Sequence, residues 1–349
     1  MLPSQDYSAV LNSVFHSVPP QLSITVLDLF AGSGGLALGF EAQGFGTIGF
    51  EKDADCCASY QKNLRGECHR IHLSPDFEFP QATAIIGGPP CQPFSVGGQQ
   101  KGLQDDRDGF PTFLAAVRQV KPKIFLFENV RGMFYRNRWY LDIVIKELQS
   151  LGYILDFQLL NAVDYGVPQK RERLVVVGHR GNFQFPPVLN TRVTAGEALG
   201  SMAMEIPPKA RFLTASMDTY VAKYEKASNC VRPRDLYLDK PARTVTCRNL
   251  AGATGDMMRV CLPDGRRRRL TVQEAARLQS FPDFFEFQGS EISQFNQIGN
   301  AVPPLLSYHL AASVKDYLLS DEEELTGPEI EKSNNNRKSP KQLCLFDKS

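Results

Sequence analysis

The chain has 349 residues, 42% of them hydrophobic and 22% charged, with a formal net charge of +1; that is enough to bury a large core and leaves room for a second, smaller domain. No apolar run approaches the ~18 residues of a membrane span, and the first twenty residues lack the charged-then-apolar pattern of an export signal. Eight cysteines occur without a Cys-x-x-Cys pair, which argues against a zinc ribbon or disulfide scaffold and leads us to expect reduced, cytoplasmic thiols.

After an irregular start, Ile24 to Phe30 reads as a strand that runs into Ala31-Gly32-Ser33-Gly34-Gly35 and then a helical pattern, Leu36 to Ala42. Strand, glycine turn and helix is the layout of a nucleotide-type site, where missing side chains let a ligand approach the backbone. A tight turn without a ligand explains these residues equally well, and the spacing is not the dinucleotide Gly-x-Gly-x-x-Gly. The next strand, Gly46 to Phe50, ends in Glu51, nineteen residues after Gly32. A carboxylate there suits two ribose hydroxyls, and its pairing with the glycine turn sets it apart from an ordinary surface glutamate.

A helix over 54–63 precedes the apolar run Thr83-Ala84-Ile85-Ile86, which leads into Gly87-Gly88-Pro89-Pro90-Cys91-Gln92-Pro93-Phe94-Ser95. Neither proline before Cys91 has an N–H for a ladder, so the thiol belongs past the strand's C-terminal end, on a stiff loop. The glycine-rich, charged stretch 97–109 then reads as a mobile loop, and 111–120 as a helix. Ile124 to Phe127 forms another buried strand, followed at once by Glu128-Asn129-Val130. A carboxyl at so apolar a mouth should be partly desolvated, which raises its pKa and lets it carry a proton near neutrality. A lone Pro-Cys is usually a buried structural cysteine. Here Gly32, Glu51, Cys91 and Glu128 each stand directly after a strand, and in an open α/β sheet those ends share the edge where ligands bind. We read that edge as an active site.

A helix over 140–151 and a strand over 174–178 follow, the latter preceded by Gln169-Lys170-Arg171-Glu172-Arg173. Extended alternation puts Gln169, Arg171 and Arg173 on one face, suited to an anion or a carbonyl oxygen. From Phe183 the βα alternation stops. Between Glu205 and Arg269 there are fourteen Lys or Arg against seven Asp or Glu, ending in Arg266-Arg267-Arg268-Arg269, a balance that marks a polyanion surface. Helical order resumes at 271–278, and Gln297-Ile298-Gly299-Asn300-Ala301-Val302-Pro303-Pro304 enters a final helix over 305–319. We therefore expect a first domain over 1–183, an inserted basic domain over 184–268, a return to the first domain over 269–319, and a disordered tail over 320–349.

The segments Asp28 to Gly35, Gly88 to Ser95, Phe127 to Val130, Gln169 to Arg173 and Gln297 to Pro303, in this order, resemble the DNA (cytosine-5)-methyltransferases of bacterial restriction-modification systems. The resemblance covers nearly all of residues 24–319. It implies an α/β fold, a Rossmann-like S-adenosylmethionine-dependent methyltransferase sheet with a smaller inserted target-recognition domain. It also implies a monomer acting on double-stranded DNA at the bacterial nucleoid, protecting host DNA, with S-adenosyl-L-methionine as cofactor and no metal. By that resemblance the Cys91 thiolate adds to C6 of a flipped-out cytosine, and Glu128 donates to N3. Arg173 and Arg171 hold O2, with Pro90, Ser95 and Gln169 on the substrate side. Phe30, Gly32 and Gly34 line the methionine and adenine portions of the cofactor, Glu51 takes the ribose hydroxyls, and Asn300 approaches from the returning segment. Arg243 and Arg248 fall in the DNA-reading region.

The sequence departs from the family pattern at two places. Ile71-His72-Leu73 stands where an acidic residue usually meets the adenine amine, with Asp76 as a substitute, and Lys52 stands where an aromatic residue often follows Glu51. A tRNA-methylating branch of the family carries a Cys-Phe-Thr triplet that is missing here, and a catalytically silent DNA-binding protein would have no use for Cys91 and Glu128. In the tail, Gln342, Leu343, Leu345 and Phe346 resemble the short peptide by which bacterial replication proteins dock on the sliding clamp.

Overall fold

The computed structural model describes residues 6–16, 19, 21–90, 108–189, 192–227, 234–252 and 255–326. Cys91 and Ser95 lie outside the described residues, as do Gln342, Leu343, Leu345 and Phe346. The chain opens with α1 (Tyr7–Val14), capped by the Asp6 carboxylate, where the sequence reading expected irregular structure. A seven-stranded sheet follows, built from β1 (Thr25–Leu29), β2 (Gly46–Glu51), β3 (Glu67–Arg70), β4 (Ala84–Gly87), β5 (Ile124–Val130), β6 (Ile154–Asn161) and β7 (Glu172–His179). Its order is β3-β2-β1-β4-β5-β7-β6. The first five strands are parallel, β7 runs antiparallel to β5, and β6 antiparallel to β7.

Apolar runs make the central strands, because a sheet covered on both faces needs apolar side chains at successive positions. Val26, Ile86, Leu126, Val175 and Val177 point into one core, packed with α2 (Gly35–Ala42) and the C-terminal helices. Leu27, Ile85, Phe125, Phe127 and Val176 point into the other. That second core is covered by α4 (Phe110–Val120) and α6 (Arg138–Ser150). In α4 the residues Phe110, Phe113, Val117 and Val120 fall on one helical face. Between the strands, α3 (Ala54–Asn63) starts from the Asp53 cap, and the short α5 (Arg131–Tyr135) follows β5.

The region after β7 carries α7 (Ala195–Leu199), α8 (Ala215–Ala227), α9 (Cys247–Ala251) and a two-stranded antiparallel ribbon of β8 (Arg259–Cys261) and β9 (Arg267–Arg269). Its buried residues Leu199, Val245, Leu250 and Val260 belong to the same cluster as Leu278, Ile298 and Leu306. The chain then returns through α10 (Val272–Leu278), α11 (Glu291–Asn300) and α12 (Pro304–Thr326). The last helix packs on α2 at Gly39, where a Cβ would collide with the backbone at Ser307 and Tyr308. It runs past residue 319, so 320–326 are helical where a disordered tail was expected. Among the described residues no helix is long and apolar enough to cross a membrane.

Part of the basic excess is consumed inside the protein. Arg268 is fully buried and bidentate on Glu274 at 2.7 and 2.8 Å. Arg259, also fully buried, binds Asp235 at 2.5 Å and Glu225 at 3.2 Å, and Arg267 binds Asp218 at 2.7 Å. The four-arginine run is thus in part a structural seam rather than a continuous exposed strip.

Candidate active site

The site is built at the C-terminal edge of the parallel strands. After β1 the backbone turns through three left-handed residues, Phe30 (φ 59°), Gly32 (φ 56°) and Gly34 (φ 88°). Left-handed backbone is unusual for phenylalanine and marks a constrained turn at a ligand edge. Glu51 fastens this turn: its Oε2 accepts from the Gly32 N–H at 2.9 Å, while Oε1 accepts from the N–H groups of Lys52 and Asp53, both at 2.8 Å. Those three bonds leave about one acceptor position of the carboxylate free.

The two glycines play different parts. A Cβ at Gly32 would meet nothing within 4 Å, so that face of the turn is open. One at Gly34 would strike Tyr60 at 2.8 Å and Leu64 at 2.9 Å, so Gly34 answers to the packing of α3. The turn also holds a buried hydroxyl without a partner, Ser33 Oγ. An open glycine face, an orphaned hydroxyl and a carboxylate with one acceptor position left fit a ligand rich in hydroxyls and amines, as the ribose and methionine ends of S-adenosylmethionine are. Beneath the turn Asp28 is buried, and its carboxyl is held well above the usual range, first by burial and then by the charge of Glu51. Ile71 donates its N–H to the Glu51 carbonyl at 2.8 Å, and Leu73 is buried; His72, Asp76 and Lys52 are exposed.

The second half of the site lies one strand over. Pro89 O accepts from Asn129 Nδ2 at 2.9 Å, and Pro90 O from the Gly109 N–H at 2.9 Å. A Cβ at Gly109 would stand 3.0 Å from both the Phe30 ring and Pro90 N. Phe30 and Pro90, from two different turns, therefore converge on one point. A Cβ at Gly88 would lie 3.9 Å from Glu128 Oε2, which puts that carboxylate against the Gly88-Pro89-Pro90 segment. Glu128 Oε1 is 2.7 Å from Arg173 Nε, with the two side chains only 12% and 13% exposed. Glu128 sits within β5 rather than past its end, because β7 pairs with β5 as far as Val130↔Arg173.

Of the three residues expected on one face before β7, only Arg173 stands at Glu128. Arg171 is fully buried: Nη1 donates to Val245 O at 2.7 Å, and Nη2 to Ala301 O at 2.9 Å and Gly299 O at 3.2 Å. Burial, then the nearby Arg173 charge, pulls its pKa well below the usual guanidinium range. Gln169, also fully buried, donates to Leu278 O at 2.8 Å and to Gln279 Oε1, and accepts from Val245 N at 2.9 Å. Both residues stitch the 242–246 segment and the returning helices to the sheet, with Arg171 Nε alone of its guanidinium nitrogens left without a partner.

Asn300 is exposed at the end of α11, where its Oδ1 accepts from Cys247 Sγ at 3.0 Å. Arg243 and Arg248 converge on Asp256, with Arg243 Nη1 at 3.3 Å and Arg248 Nε at 3.2 Å. The sequence assigns no role to Asn129, Gln279 or Asp256. Asn129 alone carried a signal, as the residue directly after Glu128 in an apolar strand.

A model of the C-5 cytosine-specific DNA methylase family matches residues 24–316. Type II methyltransferase M.AplI of Arthrospira platensis is 57% identical over 299 residues, covering 84% of this chain and 86% of that protein. Type II methyltransferase M.FnuDI of Fusobacterium nucleatum is 32% identical, with 92% and 99% covered. Among solved structures, a putative DNA modification methyltransferase encoded within an E. coli prophage superposes with a TM-score of 0.63, covering 85% of this chain and 100% of that one at 22% identity. Entamoeba histolytica methyltransferase EhMeth superposes with 0.67, covering 85% and 99% at 18% identity. The two structures speak for the fold, whereas the family model and the relatives speak for descent. By the family model and these relatives, the chain belongs to the C-5 cytosine-specific DNA methylase family.

Proposed function

We propose that the protein methylates cytosine at C5 in duplex DNA at a specific sequence, as the modifying half of a restriction-modification system. The observation that carries the site assignment is the placement of the Glu128–Arg173 pair against Gly88, with Pro89 held by Asn129. Cytosine C5 is a weak nucleophile until a thiolate adds to C6, so Cys91 is the nucleophile in this reading. Glu128 faces N3 of the flipped base and carries the proton that draws electrons from the ring. Arg173 holds Glu128 through Nε, donates through Nη1 to Glu172 O at 2.8 Å, and directs its remaining N–H groups at the base carbonyl O2. Glu51 and the open face at Gly32 bind the ribose and methionine portions of S-adenosylmethionine, which supplies the methyl group when bound. The region 184–268 reads the target sequence.

Labelled S-adenosylmethionine with duplex DNA tests the reading: label enters DNA with the native protein and not with Cys91→Ala. DNA containing 5-fluorocytosine should become covalently trapped, because the fluorine cannot leave as the C5 proton does. Transfer that survives Cys91→Ala, or no trapping, would overturn it. The tail residues Gln342, Leu343, Leu345 and Phe346 form a docking peptide for a sliding clamp in the same reading. Equal clamp binding by full-length and 1–340 proteins would remove that part alone.

A further inference from the structure

Asp256 gathers three arginines, but they are not equivalent. Arg243 spends both end nitrogens on it, Nη1 at 3.3 Å from Oδ1 and Nη2 donating to the Asp256 carbonyl. Arg234 Nε lies 3.7 Å from Oδ1. These two side chains are 30% and 32% exposed. Arg248 meets the other oxygen, Oδ2, through Nε at 3.2 Å, and its side chain is 75% exposed. A guanidinium held at Nε keeps both end nitrogens free as a parallel pair of donors.

Arg248 also stands close to the catalytic edge. It is the second residue of α9, whose first residue, Cys247, hydrogen-bonds Asn300. Immediately upstream, Val245 O accepts from Arg171, and Thr244 Oγ1 donates to Lys170 O at 2.6 Å. Those partners lie in the stretch that ends at Arg173.

We infer that Arg248 reads one guanine of the recognition sequence end-on, with Asp256 as the residue that positions it. In the major groove guanine alone offers two adjacent acceptors, O6 and N7, matching that pair of donors. The carboxylate beside Arg248 offsets its charge and repels a phosphate, while the two directed N–H donors remain. Such a pair loses its attraction for backbone and keeps its preference for a base edge. This rests on the DNA-methylating reading above and adds to it a base, a residue and a buttress.

The test maps 5-methylcytosine by bisulfite sequencing in a plasmid library with randomised sequence around the target, after expression of each variant in a host without cytosine methylation. The native protein gives a motif, and Arg248→Ala relaxes it at one guanine position, discrimination there falling by roughly 5- to 150-fold. Asp256→Asn relaxes the same position by less, and the Arg248→Ala/Asp256→Asn double variant loses no further discrimination, because Asp256 acts through Arg248. Arg248 is exposed, so its variant should fold, and cofactor binding by titration checks this. An unchanged motif, a uniform loss of methylation over all sequences, or relaxation by Asp256→Asn at other positions would overturn the assignment. No 5-methylcytosine from the native protein would instead count against the methyltransferase reading itself.

Discussion

Glu128 and Arg173 meet 2.7 Å apart, although 45 positions separate them, because β7 returns antiparallel beside β5 and brings its first residues to the sheet's reactive edge. The pair is nearly closed off from solvent, and Arg173 enters it through Nε. A lysine has three rotatable donors but no such planar fork, so it cannot fix the direction of a second donor while it holds the carboxylate.

Glu128→Gln is therefore expected to reduce kcat by roughly 10²- to 10⁴-fold, since the amide keeps the shape but cannot carry the proton. Arg173→Ala should cost roughly 10²- to 10³-fold, and Arg173→Lys should recover little of it. Cofactor affinity, measured by titration calorimetry, should stay near the native value in all three. A large loss of cofactor binding would move the pair out of the base-facing role.

Arg171 should behave differently, as a fold residue. Its guanidinium satisfies the carbonyls of Val245, Gly299 and Ala301. Arg171→Met takes this donor from the carbonyls of Val245 and Gly299, each costing about 1–3 kcal/mol, while Ala301 O keeps the Gln279 Nε2 donor at 2.9 Å. The expected result is a lowered unfolding midpoint in urea and a loss of activity that follows the folded fraction. Normal stability with a selective loss of kcat would return Arg171 to the catalytic group.

The contrast between these two arginines shows what the sequence could carry. Alternation along Gln169, Arg171 and Arg173 is a local property, and it was legible. Which protein surface covers the first two is set by segments 74 and 130 residues further on, and no local pattern reports that. The four strand ends were readable because each apolar run stops at a residue with different chemistry. The end of β5 falls later than its apolar run, at Val130, because β5 outlasts its parallel neighbour β4, whose pairing ends at Gly87↔Phe127, and is continued by β7. Strand β6 escaped notice because, at the sheet's edge, most of its residues are only partly buried and its pattern is weak. Counting charges located the arginines of 205–269, but not which of them face carboxylates.

The buried Arg268–Glu274 pair tests that last point. Arg268 also donates to the carbonyls of Met202, Glu205 and Arg269, and Glu274 caps α10 by accepting from the Thr271 N–H at 2.8 Å. Arg268→Met should destabilise the protein by about 3–5 kcal/mol, because it strands a buried carboxylate. Adding Glu274→Gln should recover part of this, with a coupling of about 0.5–3 kcal/mol in a double-mutant cycle of urea midpoints. Simple additivity of the two changes would mean that the pair is not coupled as the geometry requires.

Asp28 gives a prediction with a definite sign in pH. One oxygen of this buried carboxyl has no partner, and its pKa is raised first by burial and then by Glu51, against the lowering effect of the Ala37 N–H that donates to it. The folded protein therefore keeps a proton that the unfolded chain releases near pH ~4. Above that point the folded state binds more protons than the unfolded state, so the Asp28 contribution to stability falls as pH rises, until the folded-state pKa is passed. Asp28→Asn keeps an acceptor for Ala37 and has no proton to retain. Without cofactor, the Tm advantage of the Asn variant should be small at about pH 5 and widen steadily toward about pH 8. Parallel melting profiles for the two proteins across that range would mean that Asp28 is ionised in the fold.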